Sequence, residues 1–303
     1  MTDVTSAVWR DYDQAGLDAQ YNNRKRFPDY IDRFAAWAEW SKGSRAKIDG
    51  HLDLAFGDQD IEKLDIFPAA EEGAPLYVFI HGGYWYSLDK SDHSYVAEGM
   101  VPHGVTTAVN NYVLAPNANM DEIVRQNRAA LAWLWRNARD YRYDPDRIYV
   151  TGHSAGGHLA TMLLATNWAE FGDDLPPNLV KGACAVSGLF ELEPIHLSYL
   201  NEKLKLDAEM AARNSPALQT YSYPASLFIV VGEDESPEYH RQSEDMATRW
   251  RALGYPCDYL IPKDLDHFAI VDCLIDPVAD LVKAQLVQME KAFGRRPAVR
   301  YGN

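Results

Sequence analysis

One short motif limits the folds open to this chain: a serine flanked by glycines, Gly152-His153-Ser154-Ala155-Gly156, where a strand-like run meets a helix-forming run. The pentapeptide alone is weak evidence, because Gly-x-Ser-x-Gly arises by chance in roughly one protein in ten of this length. Its context is more specific, since RIYV (147–150) leads directly into it and HLATMLLA (158–165) follows. A strand, a sharp turn and a helix in this order hold a serine hydroxyl at the end of a sheet. The pattern therefore predicts that Ser154 is a nucleophile.

The rest of the chain predicts a sheet of about eight strands. Two segments, 52–56 and 62–67, alternate apolar and polar residues, which indicates half-buried antiparallel strands. Short apolar runs suited to the interior of a parallel sheet occupy 76–80, 105–109, 147–150, 182–186 and 227–231. A final strand occupies 257–261. The helical stretches are 91–103, 120–141, 155–168, 237–253 and 276–293. This alternation predicts a mostly parallel, doubly wound sheet with helices on both faces, and with the serine turn it indicates the α/β-hydrolase fold.

Two segments do not follow the alternation. Residues 1–50 are expected to be helical and amphipathic, with aromatic residues at helix spacing (Tyr30, Phe34 and Trp37). Packing against the core is the favoured interpretation of these rings, and a binding role is the alternative. Residues 189–222 follow a strand and are rich in Leu, Glu and Lys, so we interpret them as an inserted helical cap. The prediction is a single domain over residues 1–303.

Composition and charge exclude several classes of protein. The chain has 29 basic and 44 acidic side chains and a net charge of −15, which disfavours a nucleic-acid or anionic-membrane partner. The local basic run at Arg295 and Arg296 is interpreted as a tail. Three scattered cysteines disfavour a disulfide framework or a cysteine metal site. No signal-peptide pattern and no apolar run of about 18 residues is present, so we predict a cytoplasmic protein without a membrane segment.

A serine hydroxyl needs a histidine base to take its proton and an acid to orient that base. In hydrolases with this serine turn the chain order is serine, acid, histidine. Of the nine histidines, His267 lies in a polar loop after the last predicted strand, where the base is expected. His240 lies inside a predicted helix and is interpreted as a surface or structural residue.

The acid is expected on the turn after 227–231, where three carboxylates stand in a row. The common register, three residues beyond Gly232, selects Glu235. Asp234 is the alternative, because aspartate is the more usual acid. Either choice gives the chain order that a triad with Ser154 and His267 requires.

A second loop completes the predicted machinery. His81-Gly82-Gly83-Tyr84-Trp85 follows the run 76–80 and matches the glycine-rich loop that supplies backbone donors to an oxyanion. The expected donors are the N–H groups of Gly83, Tyr84 and Ala155. The two glycines allow these groups to turn towards the substrate oxygen.

Neighbouring residues are candidate substrate contacts, namely Gly82, Trp85 and His153. The aromatic run Tyr84, Trp85 and Tyr86, with the N-terminal helix and the cap, indicates an aromatic pocket, and simple packing of these rings is the alternative. His153 and His158 are five positions apart, which is not the spacing of a zinc site, so no metal site is predicted.

Longer stretches carry a family resemblance: HGGYW (81–85), GHSAGGHLA (152–160), SGLFELEPI (187–195), RNSP (213–216), VVGEDESPEYHRQS (230–243) and DLDHFAIVD (264–272), together with FGDQDIEKLDIFP (56–68). They resemble the kynurenine formamidase, or arylformamidase, group of α/β-hydrolases, and the likeness covers nearly the whole chain. That group has an aspartate directly before Ser-Pro-Glu, where this chain has Glu235.

The resemblance implies hydrolysis of an N-aryl formamide, such as N-formylkynurenine, through a formyl-enzyme and without a cofactor. Among enzymes, the alternative is a broad-specificity carboxylesterase or amidase, and a metal-dependent hydrolase is a separate possibility that the histidine spacings disfavour. A non-catalytic binding protein of the same fold is the alternative outside them. The expected partner is a small molecule, and a homodimer is left open. No motif marks an arginine that would bind a substrate carboxylate, and the net charge of −15 favours a neutral or zwitterionic substrate.

Overall fold

The computed structural model describes residues 6–294, so residues 1–5 and the basic tail at Arg295 and Arg296 lie outside the described residues. The strands are β1 (His51–Ala55), β2 (Lys63–Phe67), β3 (Ala74–Ile80), β4 (Thr106–Asn110), β5 (Tyr143–His153), β6 (Val180–Val186), β7 (Ser226–Val230) and β8 (Cys257–Leu260). They form one sheet in the order β1-β2-β4-β3-β5-β6-β7-β8. All eight predicted strands are confirmed, and the largest difference is in β5, which has 11 residues instead of the four predicted at 147–150.

The sheet is antiparallel at one edge and parallel elsewhere. β2 pairs antiparallel with β1 and β4, and every pair from β4 and β3 through to β8 is parallel. Alternate residues of β3 enter different hydrophobic clusters: Tyr77 and Phe79 in one, Val78 and Ile80 in the other. Since successive side chains of a strand point to opposite faces, both faces of the sheet are covered. The α/β-hydrolase fold is confirmed.

The helices of the described residues are α1 (Gln14–Tyr21), α2 (Asn23–Arg26), α3 (Tyr30–Lys47), α4 (Val96–Met100), α5 (Met120–Asn137), α6 (Ala155–Leu164), α7 (Trp168–Phe171), α8 (Glu193–Leu197), α9 (Asn201–Leu204), α10 (Ala208–Arg213), α11 (Pro237–Ala252), α12 (Ala269–Asp272) and α13 (Asp280–Ala292). None of them combines the length and the apolar character that a membrane span requires. Short 3₁₀ turns occur at Lys90–Asp92, Val101–His103, Pro216–Leu218 and Cys273–Ile275.

The prediction of one continuous helix over 91–103 is wrong. Asp89 caps a separate 3₁₀ turn by accepting from the Ser91 N–H and by exchanging bonds with Asp92. After α4 the chain tightens into a second 3₁₀ turn that contains Pro102, which has no N–H to continue a helical ladder. Three other predicted helices are shorter than expected, because α5 ends at Asn137, α6 ends at Leu164 and α13 begins after Pro277.

The N-terminal helices attach to the C-terminal third of the chain. The Tyr21 hydroxyl donates to Glu238 Oε2 over 2.9 Å, and the buried Trp37 indole N–H donates to Asp272 Oδ1 over 2.6 Å. Helices α8 to α10 occupy the segment predicted as a cap, and the Tyr199 N–H of that segment donates to Asp18 Oδ1 over 2.8 Å. The first helices therefore touch both α11 and the cap segment.

Candidate active site

Ser154 lies on the sharp turn between β5 and α6, with φ 55° and ψ −118°. Non-glycine residues rarely adopt a positive φ. The flanking glycines are required by close contacts: a Cβ at Gly152 would lie 2.0 Å from the Gly156 carbonyl oxygen, and one at Gly156 would lie 2.0 Å from that of Ile80. The Ser154 N–H donates to the Val186 carbonyl over 2.8 Å. Three neighbouring strands therefore fix the position of the serine.

Glu235 and His267 form a buried hydrogen-bonded pair. His267 Nδ1 donates to Glu235 Oε2 over 2.7 Å. The other carboxylate oxygen accepts from the Ser187 hydroxyl at 2.5 Å and from the Gly232 N–H at 2.8 Å. Because Nδ1 carries the hydrogen, a neutral His267 keeps an unprotonated Nε2, and its side chain lines the same cavity as Ser154. This arrangement can provide a general base.

The alternative acid and the alternative histidine lie elsewhere. Asp234 is exposed, whereas Glu235 is 6% exposed. His240 lies on α11, and its Nε2 contacts the Glu233 carbonyl at 3.2 Å. The structure therefore places Glu235, rather than Asp234, against His267.

The predicted oxyanion donors surround the serine. Gly83 and Tyr84 have φ of 98° and 50° and line the cavity beside Ser154, and Ala155 is the first residue of α6. Within residues 6–294, the backbone N–H groups of these three residues make no hydrogen bond. Free donors beside a nucleophile, with a helix N-terminus beneath them, can stabilise an oxyanion.

Two of the three candidate substrate contacts lie close to the serine. A Cβ at Gly82 would lie 3.2 Å from the Ser154 Cβ, so the glycine-rich loop packs directly against the nucleophile. His153 lines the cavity, and its Nε2 donates to the His267 carbonyl over 2.8 Å. Burial, and then the electrostatic interaction with the neighbouring His267, lower the pKa of His153 well below its usual value. Its ring is therefore neutral, and its Nδ1 is an acceptor that has no partner in the described part of the chain.

Trp85 lies away from the cavity, which favours the packing interpretation of that ring over substrate contact. It is 0% exposed, and its indole N–H donates to His158 Nδ1 over 3.2 Å. His158 Nε2 in turn donates to the Asn214 carbonyl over 2.7 Å. His158 is therefore a structural residue of the core, as expected. Among the described residues, no group of three His, Cys, Asp or Glu side chains could hold a metal ion.

The cavity at Ser154 is small and largely aromatic, with a volume of about 20 Å³. The remaining lining residues come mainly from the N-terminal helices, which contribute Asn23, Arg24, Phe34 and Trp37. Leu88 and Phe268 complete the lining. The side chains of Arg24, Phe34 and Leu88 are only half-buried, so they mark the side that faces solvent. The aromatic residues at helix spacing in 30–38 form part of this cavity wall. The sequence favours packing against the core for these rings and leaves a binding role as the alternative.

A chain of hydroxyl groups joins the N-terminal wall to the site. Tyr84 Oη donates to the Tyr21 carbonyl over 2.5 Å, and Tyr84 and Tyr239 Oη lie 2.9 Å apart. Since a carbonyl only accepts, Tyr84 is committed to it and Tyr239 donates to Tyr84. Asn23 Nδ2 donates to both hydroxyls, at 3.3 and 3.1 Å. The Tyr239 ring centroid lies 4.8 Å from that of His267.

Sequence reasoning did not single out four residues of this site. Tyr239 and Ser187 lie in stretches that carried the family resemblance, SPEYHRQS and SGLFELEPI, so a signal was present for both. Asn23 and Arg24 lie in a short helix without any motif, and only the three-dimensional structure places them at the cavity.

The chain is similar to proteins of known family and known structure. The chain matches the BD-FAE family over residues 64–249. It is 31% identical over 297 residues to the kynurenine formamidase of Danio rerio, covering 94% of this chain and 99% of that protein. It is 32% identical over 301 residues to the kynurenine formamidase of Salmo salar, with the same coverage. A candidate thioesterase of known structure from Silicibacter sp. TM1040 has a TM-score of 0.77 and 30% identity, over 88% of this chain and 97% of that one.

Proposed function

The chain belongs to the kynurenine formamidase family, and from this membership and the geometry at Ser154 we propose that it hydrolyses the amide bond of an N-aryl formamide such as N-formylkynurenine. Membership of this family makes the chain a hydrolase. The roles given to individual residues below are part of the proposal.

In the proposed reaction Ser154 Oγ attacks the formyl carbon while His267 Nε2 takes its proton. Glu235 holds the His267 Nδ1–H over 2.7 Å and stabilises the imidazolium that forms. The N–H groups of Gly83, Tyr84 and Ala155 donate to the oxyanion, and each such donor contributes about 3–4 kcal/mol in comparable sites.

Collapse of this tetrahedral intermediate releases the arylamine, which receives its proton from His267. A water molecule then gives a proton to His267 and attacks the formyl-enzyme. Formate leaves, and the proton returns to Ser154. The overall change is one amide bond and one water converted into formate, a proton and a free amine.

The observation that carries the formyl specificity is the size of the cavity. A volume of about 20 Å³ is slightly more than one water molecule needs, about 10–15 Å³ by the same kind of measure. A formyl group adds only a hydrogen to the reacting carbonyl. A longer acyl chain needs more space than this, and two residues of the lining, Trp37 and His153, are buried and held by hydrogen bonds.

Matched substrates test this proposal. We expect kcat/KM for 2′-formamidoacetophenone to exceed that for 2′-acetamidoacetophenone by about 10- to 200-fold, the discrimination that one carbon provides. Ser154→Ala should reduce hydrolysis of the formamide to background while circular dichroism shows a folded protein. A preference for the acetamide or for p-nitrophenyl butyrate would instead support a broad carboxylesterase. Near-normal turnover by the Ser154→Ala variant would exclude the mechanism.

A further inference from the structure

One residue of the glycine-rich loop, Tyr84, combines a free backbone donor with a tethered side chain. Its φ of 50° is a value that non-glycine residues rarely adopt. Its N–H makes no hydrogen bond within residues 6–294, whereas its hydroxyl donates to the Tyr21 carbonyl over 2.5 Å. A backbone in this conformation persists only where neighbouring contacts hold it in place. The side-chain tether is therefore a candidate for what holds the Tyr84 backbone.

The shape of a tyrosine side chain makes this tether effective. The phenolic oxygen lies on the axis of the Cβ–Cγ bond, so its distance from Cα is the same in every rotamer. A hydrogen bond at the hydroxyl therefore fixes the distance between the Tyr84 Cα and the Tyr21 carbonyl within narrow limits. The ring has little room to turn, because it is 6% exposed and its centroid lies 6.4 Å from that of Trp85 and 6.3 Å from that of Tyr86.

Two further groups hold the Tyr84 hydroxyl. The Tyr239 hydroxyl, from α11, donates to it over 2.9 Å, and Asn23 Nδ2 donates to it over 3.3 Å. Burial raises the pKa of both tyrosine hydroxyls above the ordinary value, so both stay protonated. The Tyr84 hydroxyl thus accepts from two donors and keeps its own hydrogen for the Tyr21 carbonyl.

The acceptor end of the tether is fixed as well. Tyr21 is the last residue of α1 and is 0% exposed. Its hydroxyl donates to Glu238 Oε2 over 2.9 Å and accepts from Gln242 Nε2 over 2.9 Å. Both partners lie on α11, the helix that also carries Tyr239. Helix α1 is therefore attached to α11 on one side and to the glycine-rich loop on the other.

The backbone on both sides of Tyr84 is held by bonds that do not involve its side chain. The Gly83 carbonyl accepts from the Ser87 N–H over 3.1 Å and from the Ser87 hydroxyl over 2.9 Å. The Trp85 carbonyl accepts from the Ala115 N–H over 2.8 Å. Loss of the tether should therefore let Tyr84 tilt while the loop as a whole stays folded.

We propose that Tyr84 is a positioning residue: its hydroxyl bond to the Tyr21 carbonyl sets the direction of the Tyr84 N–H, so that helix α1 contributes to stabilisation of the oxyanion. The inference rests on the proposed function, which assigns this N–H to the oxyanion. It gives the N-terminal helices a part in catalysis besides forming the cavity wall. Because the negative charge develops only on the way to the tetrahedral intermediate, the tether acts on kcat rather than on substrate binding.

The test uses Tyr84→Phe, which keeps the ring and removes the hydroxyl, with 2′-formamidoacetophenone as the substrate. Loss of a whole oxyanion donor costs about 10²- to 10³-fold in kcat, and a tilted donor costs part of that. We expect kcat to fall by about 10- to 100-fold while KM stays within about 3-fold of its value in the unmodified enzyme. A merely structural role would lower stability without this split between kcat and KM.

Two inhibitors give a readout that does not depend on turnover. With phenylboronic acid, Ser154 Oγ forms a bond to boron, His267 Nε2 takes the hydroxyl proton, and a boronate oxygen lies where the oxyanion would lie. The product amine, 2′-aminoacetophenone, binds without forming an oxyanion. We expect Tyr84→Phe to raise Ki for the boronic acid by about 10- to 100-fold and to leave Ki for the amine within about 3-fold.

Tyr221→Phe is the matched control. Tyr221 is 6% exposed, like Tyr84, and its hydroxyl also donates to a backbone carbonyl, that of Pro216, over 2.8 Å. Tyr221 does not line the cavity at Ser154. Both variants should lower the midpoint of urea unfolding by a similar amount, whereas Tyr221→Phe should leave kcat and both Ki values unchanged.

Two results for Tyr84→Phe would overturn the inference and leave formamide hydrolysis intact: an unchanged kcat, or Ki values that rise equally for both inhibitors. If this variant fails to fold, Tyr239→Phe decides, because it removes a donor from the Tyr84 hydroxyl. It should lower kcat and raise Ki for the boronic acid by about 2- to 5-fold each, and no change in either would overturn the inference. An unmodified enzyme that neither hydrolyses the formamide nor binds the boronic acid would instead contradict the proposed function.

Discussion

Glu235 accepts a hydrogen bond from His267 through one carboxylate oxygen and two more, from Ser187 and Gly232, through the other, so both oxygens act as acceptors. In Glu235→Gln only the amide oxygen can accept, because the NH₂ group is a donor. The amide oxygen satisfies Ser187 and Gly232, and the NH₂ group then faces Nδ1 and stabilises the histidine tautomer that is protonated on Nε2. We expect kcat to fall by about 10³- to 10⁴-fold with the protein still folded, as loss of the correct tautomer does in serine hydrolases.

Asp234→Asn is the control for that prediction, because it removes a charge from the neighbouring exposed position. Its kcat should stay within about 3-fold of the unmodified enzyme. The reverse pattern, in which Asp234→Asn is inactive and Glu235→Gln is active, would show that the pairing seen here is not the catalytic one.

Gly156→Ala should destabilise the protein strongly. The new methyl carbon would lie 2.0 Å from the Ile80 carbonyl oxygen, and a backbone atom of a central strand cannot move away without disturbing the sheet. We expect a loss of about 3 kcal/mol or more in the free energy of unfolding, measured by urea denaturation.

Gly43→Ala provides the comparison, since it lies inside α3 and a Cβ there meets nothing within 4 Å. This variant should gain about 0.5–1 kcal/mol from helix propensity. Equal effects of the two alanine substitutions would contradict the close contact at the serine turn.

The buried histidines predict a loss of stability in mild acid. Burial lowers the pKa of His158 to about 4, while a histidine of the unfolded chain titrates near 6.5. As the pH falls from about 6.5 to 4, the unfolded state therefore binds a proton that the folded state does not, and the free energy of unfolding decreases. Below pH 4 this group contributes no further change.

The share of His158 can be measured with His158→Gln, whose amide can still donate to Asn214 and accept from Trp85. The decrease in unfolding free energy between pH 7 and pH 5 should be smaller in this variant by about 2 kcal/mol. His51→Gln, at an exposed position on β1, is the control. An equally reduced pH dependence in both variants would argue against the assignment to His158.

The serine turn and the sheet were predictable because their signals are local. RIYV before Ser154 and HLATMLLA after it have the composition of the elements that they form, and the structure confirms both. The failure at 91–103 has a local cause as well, since Asp89 and Pro102 divide a stretch that is apolar enough for one helix. The family resemblance is confirmed by the relatives, whereas the cytoplasmic location, the homodimer and the division of the chain into core and cap stay predictions.

The wall of the cavity could not be predicted in the same way. Arg24 donates to Ser87, 63 positions away, and Asn23 to Tyr239, 216 positions away. No pattern within one segment encodes such a pairing. Aromatic residues at helix spacing in α3 indicate a buried face but do not say that a serine nucleophile lies on the other side of it.

The bond between Trp37 and Asp272 joins residues 235 positions apart. On the ribosome the N-terminal helices are made first, and at about 5–20 residues per second they wait roughly 10–50 s for the surface that receives them. By then the serine turn has long been synthesised. A nascent or prematurely terminated chain that stops before Asp272 would expose Phe34 and Trp37 to the cell while its nucleophile lacked a finished pocket. Synthesis of the segment around Asp272 is thus the event that both shields these rings and completes the pocket.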